Sequence, residues 1–321
     1  MSGNKRLVNK IRKMKAVVSW LILICICMGC GKGAYDKTVE EQPLAETKAY
    51  ELETLQTAEK ETTEEKITVE ETESRDEEFS LEGTTLSILG DSISTYENWI
   101  PYGYNNFYPA SGDVKDINDT WWIQMFDDTG MKLCVNASSS GSTCAGDSTD
   151  AENPQVGCGD FRITDLSDKN GDYPDIIVVF MGTNDLLMGI PLGDNDGTVT
   201  VEEGMIDNFA DAYSLMLDKL ETYYPCSEIY CCTLLQVGDY GTDTPYVAFT
   251  NGQGLTSKDY SRQISIIAEN KGYPVIDLYQ CGIEIDNLQN MTSDGVHPNA
   301  EGMKYIAEAV TSTIIDVRSR Q

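Results

Sequence analysis

Ser92, Asn184, Asp294 and His297 stand in four short stretches that have both an ordinary structural use and a chemical one. Leu89-Gly90-Asp91-Ser92-Ile93-Ser94 reads, taken singly, as a turn after a strand. Val135-Asn136-Ala137-Ser138-Ser139-Ser140-Gly141-Ser142 is a run of small polar residues that suits a loop. Phe180-Met181-Gly182-Thr183-Asn184-Asp185 places an amide at the exit of an apolar strand, where it either caps the next helix or offers a donor into a cleft. Ser293-Asp294-Gly295-Val296-His297-Pro298-Asn299 holds the only histidine of the chain, three residues after an acid and just before a helix. A serine hydroxyl becomes a useful nucleophile when a neighbouring base takes its proton, and imidazole is the side chain whose unperturbed pKa lies nearest neutrality. An acid beside that imidazole would fix its tautomer and stabilise its cation.

In order and in strand context these blocks closely resemble the SGNH (GDSL-type) hydrolases, through Gly90-Asp91-Ser92, Gly141, Gly182-Thr183-Asn184-Asp185 and Asp294-Gly295-Val296-His297-Pro298. Thr183 stands where that family commonly has Gly, which leaves the Asn donor in place. The resemblance runs from about Leu86 to Ile306. It implies a serine esterase with Ser92 as nucleophile, His297 as base and Asp294 as its orienting acid. It also implies an oxyanion hole made by the backbone N–H groups of Ser92 and Gly141 and the side-chain amide of Asn184. Losing one such donor typically costs about 3 kcal/mol or more. Asp91 and Asp185 are expected to hold loops rather than to react. The mechanism calls for no cofactor and no metal.

The elements that must position these residues are legible from apolar patterning. Strands are predicted at Thr84–Leu89, Lys132–Val135, Asp175–Met181, Glu228–Leu235 and Pro274–Leu278, and helices at Thr120–Asp128, Glu202–Tyr224, Ser257–Lys271 and Ala300–Asp316. In the second helix Met205, Phe209, Ala212, Met216 and Leu220 form one stripe, read as core. Alternating strands and helices predict a single three-layer α/β/α domain with a mostly parallel sheet, and the resemblance implies the flavodoxin-like form of it. Reactive groups belong at the carboxyl ends of such strands, where the first three blocks fall.

Residues 1–30 read as an export signal. Lys5, Arg6, Lys10, Arg12, Lys13 and Lys15 precede a nearly unbroken apolar run from Ala16 to Gly29, which is short for a permanent span. Cys27-Met28-Gly29-Cys30 resembles a bacterial lipobox, with Cys27 where that motif usually has Leu, and makes Cys30 the expected lipid anchor. Residues 31–80 carry sixteen acids against six bases and almost no aromatics, the composition of an acidic disordered tether. The catalytic domain is then 81–321, held at the extracellular face of a bacterial membrane. A formal charge of −30 argues against nucleic acid as a partner, since like charges repel over a Debye length.

Seven cysteines remain after the signal, an odd number. Cys144 and Cys158 flank a loop and could pair, whereas Cys231 and Cys232 read as small buried hydrophobes. Tyr96, Trp99, Tyr102, Tyr104, Phe107 and Tyr108 crowd the segment after Ser92, either as faces for sugar rings or as a minor core. Trp121 and Trp122 suit core and rim, and the glycine-rich stretch Gly238–Gly254 suits another wall of the cleft. The expected substrate is a small-molecule or polysaccharide ester, with removal of acetyl or short acyl groups. A lysophospholipase or thioesterase on the same triad, a glycan-binding protein with a vestigial site, and an acyltransferase are the other readings of these residues.

Overall fold

The computed structural model describes residues 80–239 and 245–320. The expected signal at 1–30, the anchor Cys30 and the tether at 31–80, except for Ser80, lie outside the described residues. The strands are β1 (Thr85–Gly90), β2 (Lys132–Asn136), β3 (Gly146–Asp147), β4 (Ile176–Phe180), β5 (Met205–Ile206), β6 (Glu228–Cys232) and β7 (Val275–Ile276). The helices are α1 (Trp121–Thr129), α2 (Asp160–Thr164), α3 (Thr183–Leu187), α4 (Phe209–Tyr223), α5 (Ser257–Lys271), α6 (Leu288–Met291) and α7 (Ala300–Arg318).

Five strands form a parallel sheet in the order β2-β1-β4-β6-β7, and β3 pairs with β5 in a separate antiparallel ribbon. β4 is buried along its whole length, as a central strand covered on both sides must be. Its side chains alternate between two cores. Ile176, Val178 and Phe180 meet α1 and α7 through Trp122, Met303 and Ile306, while Ile177 and Val179 meet α4 and α5 through Phe209, Met216 and Ile264. This is the three-layer α/β/α arrangement, and it brings the carboxyl ends of β1, β2 and β4 side by side.

Three sequence expectations need correction. The helix predicted from Glu202 starts at Phe209, because Asn208 caps it by accepting from the Asp211 N–H and Met205–Ile206 is used in the ribbon. Met205 is accordingly exposed, and the core stripe begins at Phe209. Cys144 and Cys158 are unpaired thiols; they lie side by side, with the Cys158 N–H donating to the Cys144 carbonyl, and both are buried among apolar side chains. Burial pushes the Cys158 thiol up to about 12, so it stays protonated. The strand predicted as Glu228–Leu235 ends at Cys232, where the chain turns toward a buried Ser261 hydroxyl that receives the Leu234 N–H.

Candidate active site

Gly90 ends β1, and the chain turns at once into one 3-10 turn, Ser92–Ser94, with the Asp91 carboxylate accepting the Ile93 N–H. A side chain at position 90 would put a Cβ 2.6 Å from the Ser138 hydroxyl. Glycine there lets the β1 and β2 ends close up, and it presents Ser92 at the sheet edge.

The histidine comes from the other end of the chain. Thr292 and Pro298 bridge, the Ser293 N–H donates to the His297 carbonyl, and Gly295 adopts φ +85° between them. On this tight loop Asp294 accepts the backbone N–H groups of Val296 at 3.0 Å and His297 at 2.8 Å with one oxygen. Its other oxygen lies 2.8 Å from His297 Nδ1, and His297 Nε2 lies 2.9 Å from Ser92 Oγ. With the Nδ1 proton held by a carboxylate, Nε2 is the acceptor for the serine hydroxyl. Burial works against the Asp294 charge, but the bonds from the imidazole and the two backbone groups win and hold its carboxyl below the ordinary value.

A cavity of about 470 Å³ opens over this line, and Ser92, Gly141, Asn184 and His297 all contribute to its wall. Gly141 has φ +80° in the turn that follows β2, a conformation that favours glycine. A Cβ there would meet only Gln155, at an ordinary 3.7 Å, so backbone conformation rather than crowding explains the residue. Asn184, at the start of α3, donates one amide proton to the Ser142 carbonyl at 2.9 Å, which fixes the amide and leaves its second proton for the cavity. The structure thus brings Ser92, Gly141, Asn184, Asp294 and His297 to one place. The remaining walls are Phe107, Ser140, Leu187 and Phe249, the last from the glycine-rich stretch expected to line the cleft.

Behind these residues lie groups whose importance the sequence did not announce. Arg162, fully buried on α2, donates at 2.8 Å to both the Gly90 and Ala137 carbonyls and at 2.7 Å to that of Pro154, tying the nucleophile turn to the loop after β2. Asp185 accepts the Cys144 and Ala145 N–H groups at 2.8 and 3.1 Å, a long-range clasp in place of the expected local one. Burial raises Asp185 to about 7 and Asp91 to about 6. In the aromatic segment Tyr96, Tyr104 and Tyr108 are core, Trp99 and Tyr102 are exposed, and Phe107 stacks on His297 with ring centroids 3.7 Å apart. Trp121 and Trp122 are both core rather than rim, with their indole N–H groups donating to Ser94. Among the described residues no group of three or more His, Cys, Asp or Glu is placed to hold a metal ion.

A family model described as GDSL-like lipase/acylhydrolase matches residues 84–244. Solved structures share the fold. A Bacteroides ovatus protein described as a GDSL-like lipase is 24% identical, covering 73% of this chain and 99% of its own, with a TM-score of 0.53. One from Bacteroides uniformis, described likewise, is 24% identical over 74% of this chain and 97% of its own, with a TM-score of 0.51. A Lactobacillus plantarum protein gives 22%, 74%, 98% and 0.54 for the same measures. No curated relative matches. Asp294 and His297 lie beyond the matched stretch, so their place beside Ser92 is a finding of geometry alone.

Proposed function

The chain belongs to the GDSL-like lipase/acylhydrolase family, a group of hydrolases, and from that premise we propose that it is a serine esterase acting through an acyl-enzyme. Its substrates on this reading are acetyl or other short-acyl esters of extracellular carbohydrate. The observation that carries the reading is the unbroken line Asp294–His297–Ser92, with contacts of 2.8 and 2.9 Å, whose Ser92 and His297 line an open cavity.

Ser92 Oγ attacks the ester carbonyl as its proton passes to His297 Nε2, and the imidazolium that forms is held by Asp294. The carbonyl oxygen gains the negative charge and is received by the Ser92 and Gly141 N–H groups and the Asn184 amide. Collapse of this intermediate expels the alkoxide, which takes the proton from Nε2 and leaves as the alcohol. Water then repeats the sequence on the acyl-serine, with His297 as base, and releases the acid. Phe107, Leu187 and Phe249 give the cavity a small apolar wall, in keeping with a short acyl group. Residues 1–30 serve for export, Cys30 for lipid anchoring and 31–80 as the tether that holds domain 81–321 outside the cell; the support is the charge and apolar pattern of those segments.

The test is a panel of acetylated oligosaccharides and p-nitrophenyl esters from acetate to octanoate, run on the protein and on Ser92→Ala and His297→Ala. The expected result is a preference for acetyl esters that both substitutions abolish, since the chain has no second imidazole. Preference for octanoate would move the substrate to lipids or thioesters. Failure of an organophosphonate to label Ser92, together with glycan binding, would replace the esterase reading with a binding one.

A further inference from the structure

Phe107 lies fifteen positions after the nucleophile in a run of six aromatics, yet its ring alone stacks on the imidazole. The centroids are 3.7 Å apart and the planes 13° from parallel, so the contact covers a full face of His297. The ring is clamped. Its backbone N–H donates at 2.9 Å to Thr95 Oγ1, and the Thr95 hydroxyl in turn donates to the Ser92 carbonyl at 2.9 Å. Next to it Tyr108 stands edge-on at 4.9 Å and donates its hydroxyl to the Pro298 carbonyl at 2.7 Å. One dipeptide therefore grips both the nucleophile turn and the histidine loop, which are otherwise joined at this point by the Ser92–His297 contact.

We infer that Phe107 is a positioning residue for the imidazole, holding His297 in the ring orientation that faces Ser92 and Asp294 together and favouring its cation through the π face. The inference rests on the esterase reading of the site. The physical basis has two parts. A flat ring at van der Waals distance removes the freedom of the imidazole to turn about its χ2, a torsion that is otherwise broad. The negative face of a benzene ring also attracts a cation within about 6 Å, so it stabilises imidazolium relative to imidazole and supports the step in which Ser92 loses its proton. A leucine of similar bulk would exclude water but supply neither the plane nor the quadrupole.

Among the described residues, Asp294, on the histidine's own loop, and Asp91, behind the nucleophile, are carboxylates that act on the imidazole. Arg162 acts on Asp91 from below, and Tyr108 keeps its proton because burial raises it well above the ordinary value. Because the chain has one histidine, ¹⁵N-labelled imidazole gives one set of signals in the resting protein, independent of any substrate.

The experiment compares Phe107→Leu and Phe107→Tyr with the parent by imidazole ¹⁵N titration, and by the pH profile of kcat and KM on p-nitrophenyl acetate. Phe107→Leu is expected to lower the imidazole titration midpoint by about half a unit and to lower kcat about three- to tenfold with KM within about twofold. Phe107→Tyr, which keeps the plane, is expected to recover most of the midpoint shift and most of the kcat lost in Phe107→Leu. A Leu variant whose midpoint and kcat match the parent would overturn the inference, as would a Tyr variant no better than Leu. Should Phe107→Leu lose the fold, Phe107→Met is read in its place. If no ester is turned over by any form, the esterase reading fails while the titration still decides the role of Phe107.

Discussion

Replacing Asp294 with Asn changes one atom and should nearly silence the enzyme. The carboxylate is three-quarters buried as a side chain and spreads its acceptors over Val296 N–H, His297 N–H and His297 Nδ1. Asn can keep its carbonyl oxygen on the two backbone donors, which turns its amide N–H toward Nδ1. The imidazole must then accept at Nδ1 and carry its proton on Nε2, where it can no longer take one from Ser92. The charge is lost as well. With Nδ1 and the carboxylate oxygen 2.8 Å apart, the charge centres are about 4 Å apart, and at an effective dielectric of about 20 their attraction is about 4 kcal/mol. That alone is roughly 10³-fold in rate, and the wrong tautomer carries the expected loss toward about 10⁴, the value known for the equivalent change in serine proteases. Pre-steady-state release of p-nitrophenol measures acylation directly, and imidazole ¹⁵N shifts report the tautomer. A variant that retains more than a tenth of the parent acylation rate would show that Asp294 does not orient the base.

Asn184→Ala should lower kcat by roughly 10²- to 10³-fold with KM little changed, because the donor acts on charge present only in the intermediate; an equal loss in KM would place Asn184 in ground-state binding. Arg162→Met strips the donor from three carbonyls, two of them in fully buried contacts, and at about 1 kcal/mol each it should cost about 3 kcal/mol in urea unfolding; a loss under about 1 kcal/mol would refute the role of Arg162 as a tie. Asp185, raised by burial from 3.8 to about 7, binds its proton more tightly folded than unfolded. The stability it contributes is therefore complete below about pH 4 and is lost as pH rises through 7. The Tm of the parent minus that of Asp185→Asn should shrink steadily from pH 4 to 8, and a difference that grows over that range would reverse the assignment.

What was legible in the sequence was what local pattern and chemistry constrain together. β1 and β4 could be read because a strand buried on both faces is largely apolar, the edge strand β2 because Leu133–Val135 is a short apolar run, and the blocks after them because acyl transfer allows few residue types there. The start of α4 was not legible, since Met205 fits a helical stripe as well as it fits the ribbon, and only the partner strand Gly146–Asp147 decides between them. Phe107 and Arg162 were hidden for a deeper reason. A phenylalanine among five other aromatics has the same local signature whether it meets an imidazole, as Phe107 does, or the core, as Tyr108 does. Arg162 sits on a five-residue helix with no motif around it, and its acceptors lie up to 72 positions away. The chemistry of the site is thus written in short blocks, but its precision depends on contacts such as Tyr108 to Pro298, across 190 positions, that no window of sequence contains. It follows that substitutions at Phe107, Arg162 and Asp185 should disturb the geometry of the site while leaving every recognisable motif intact, so a relative with all four blocks can still differ in rate through residues outside them.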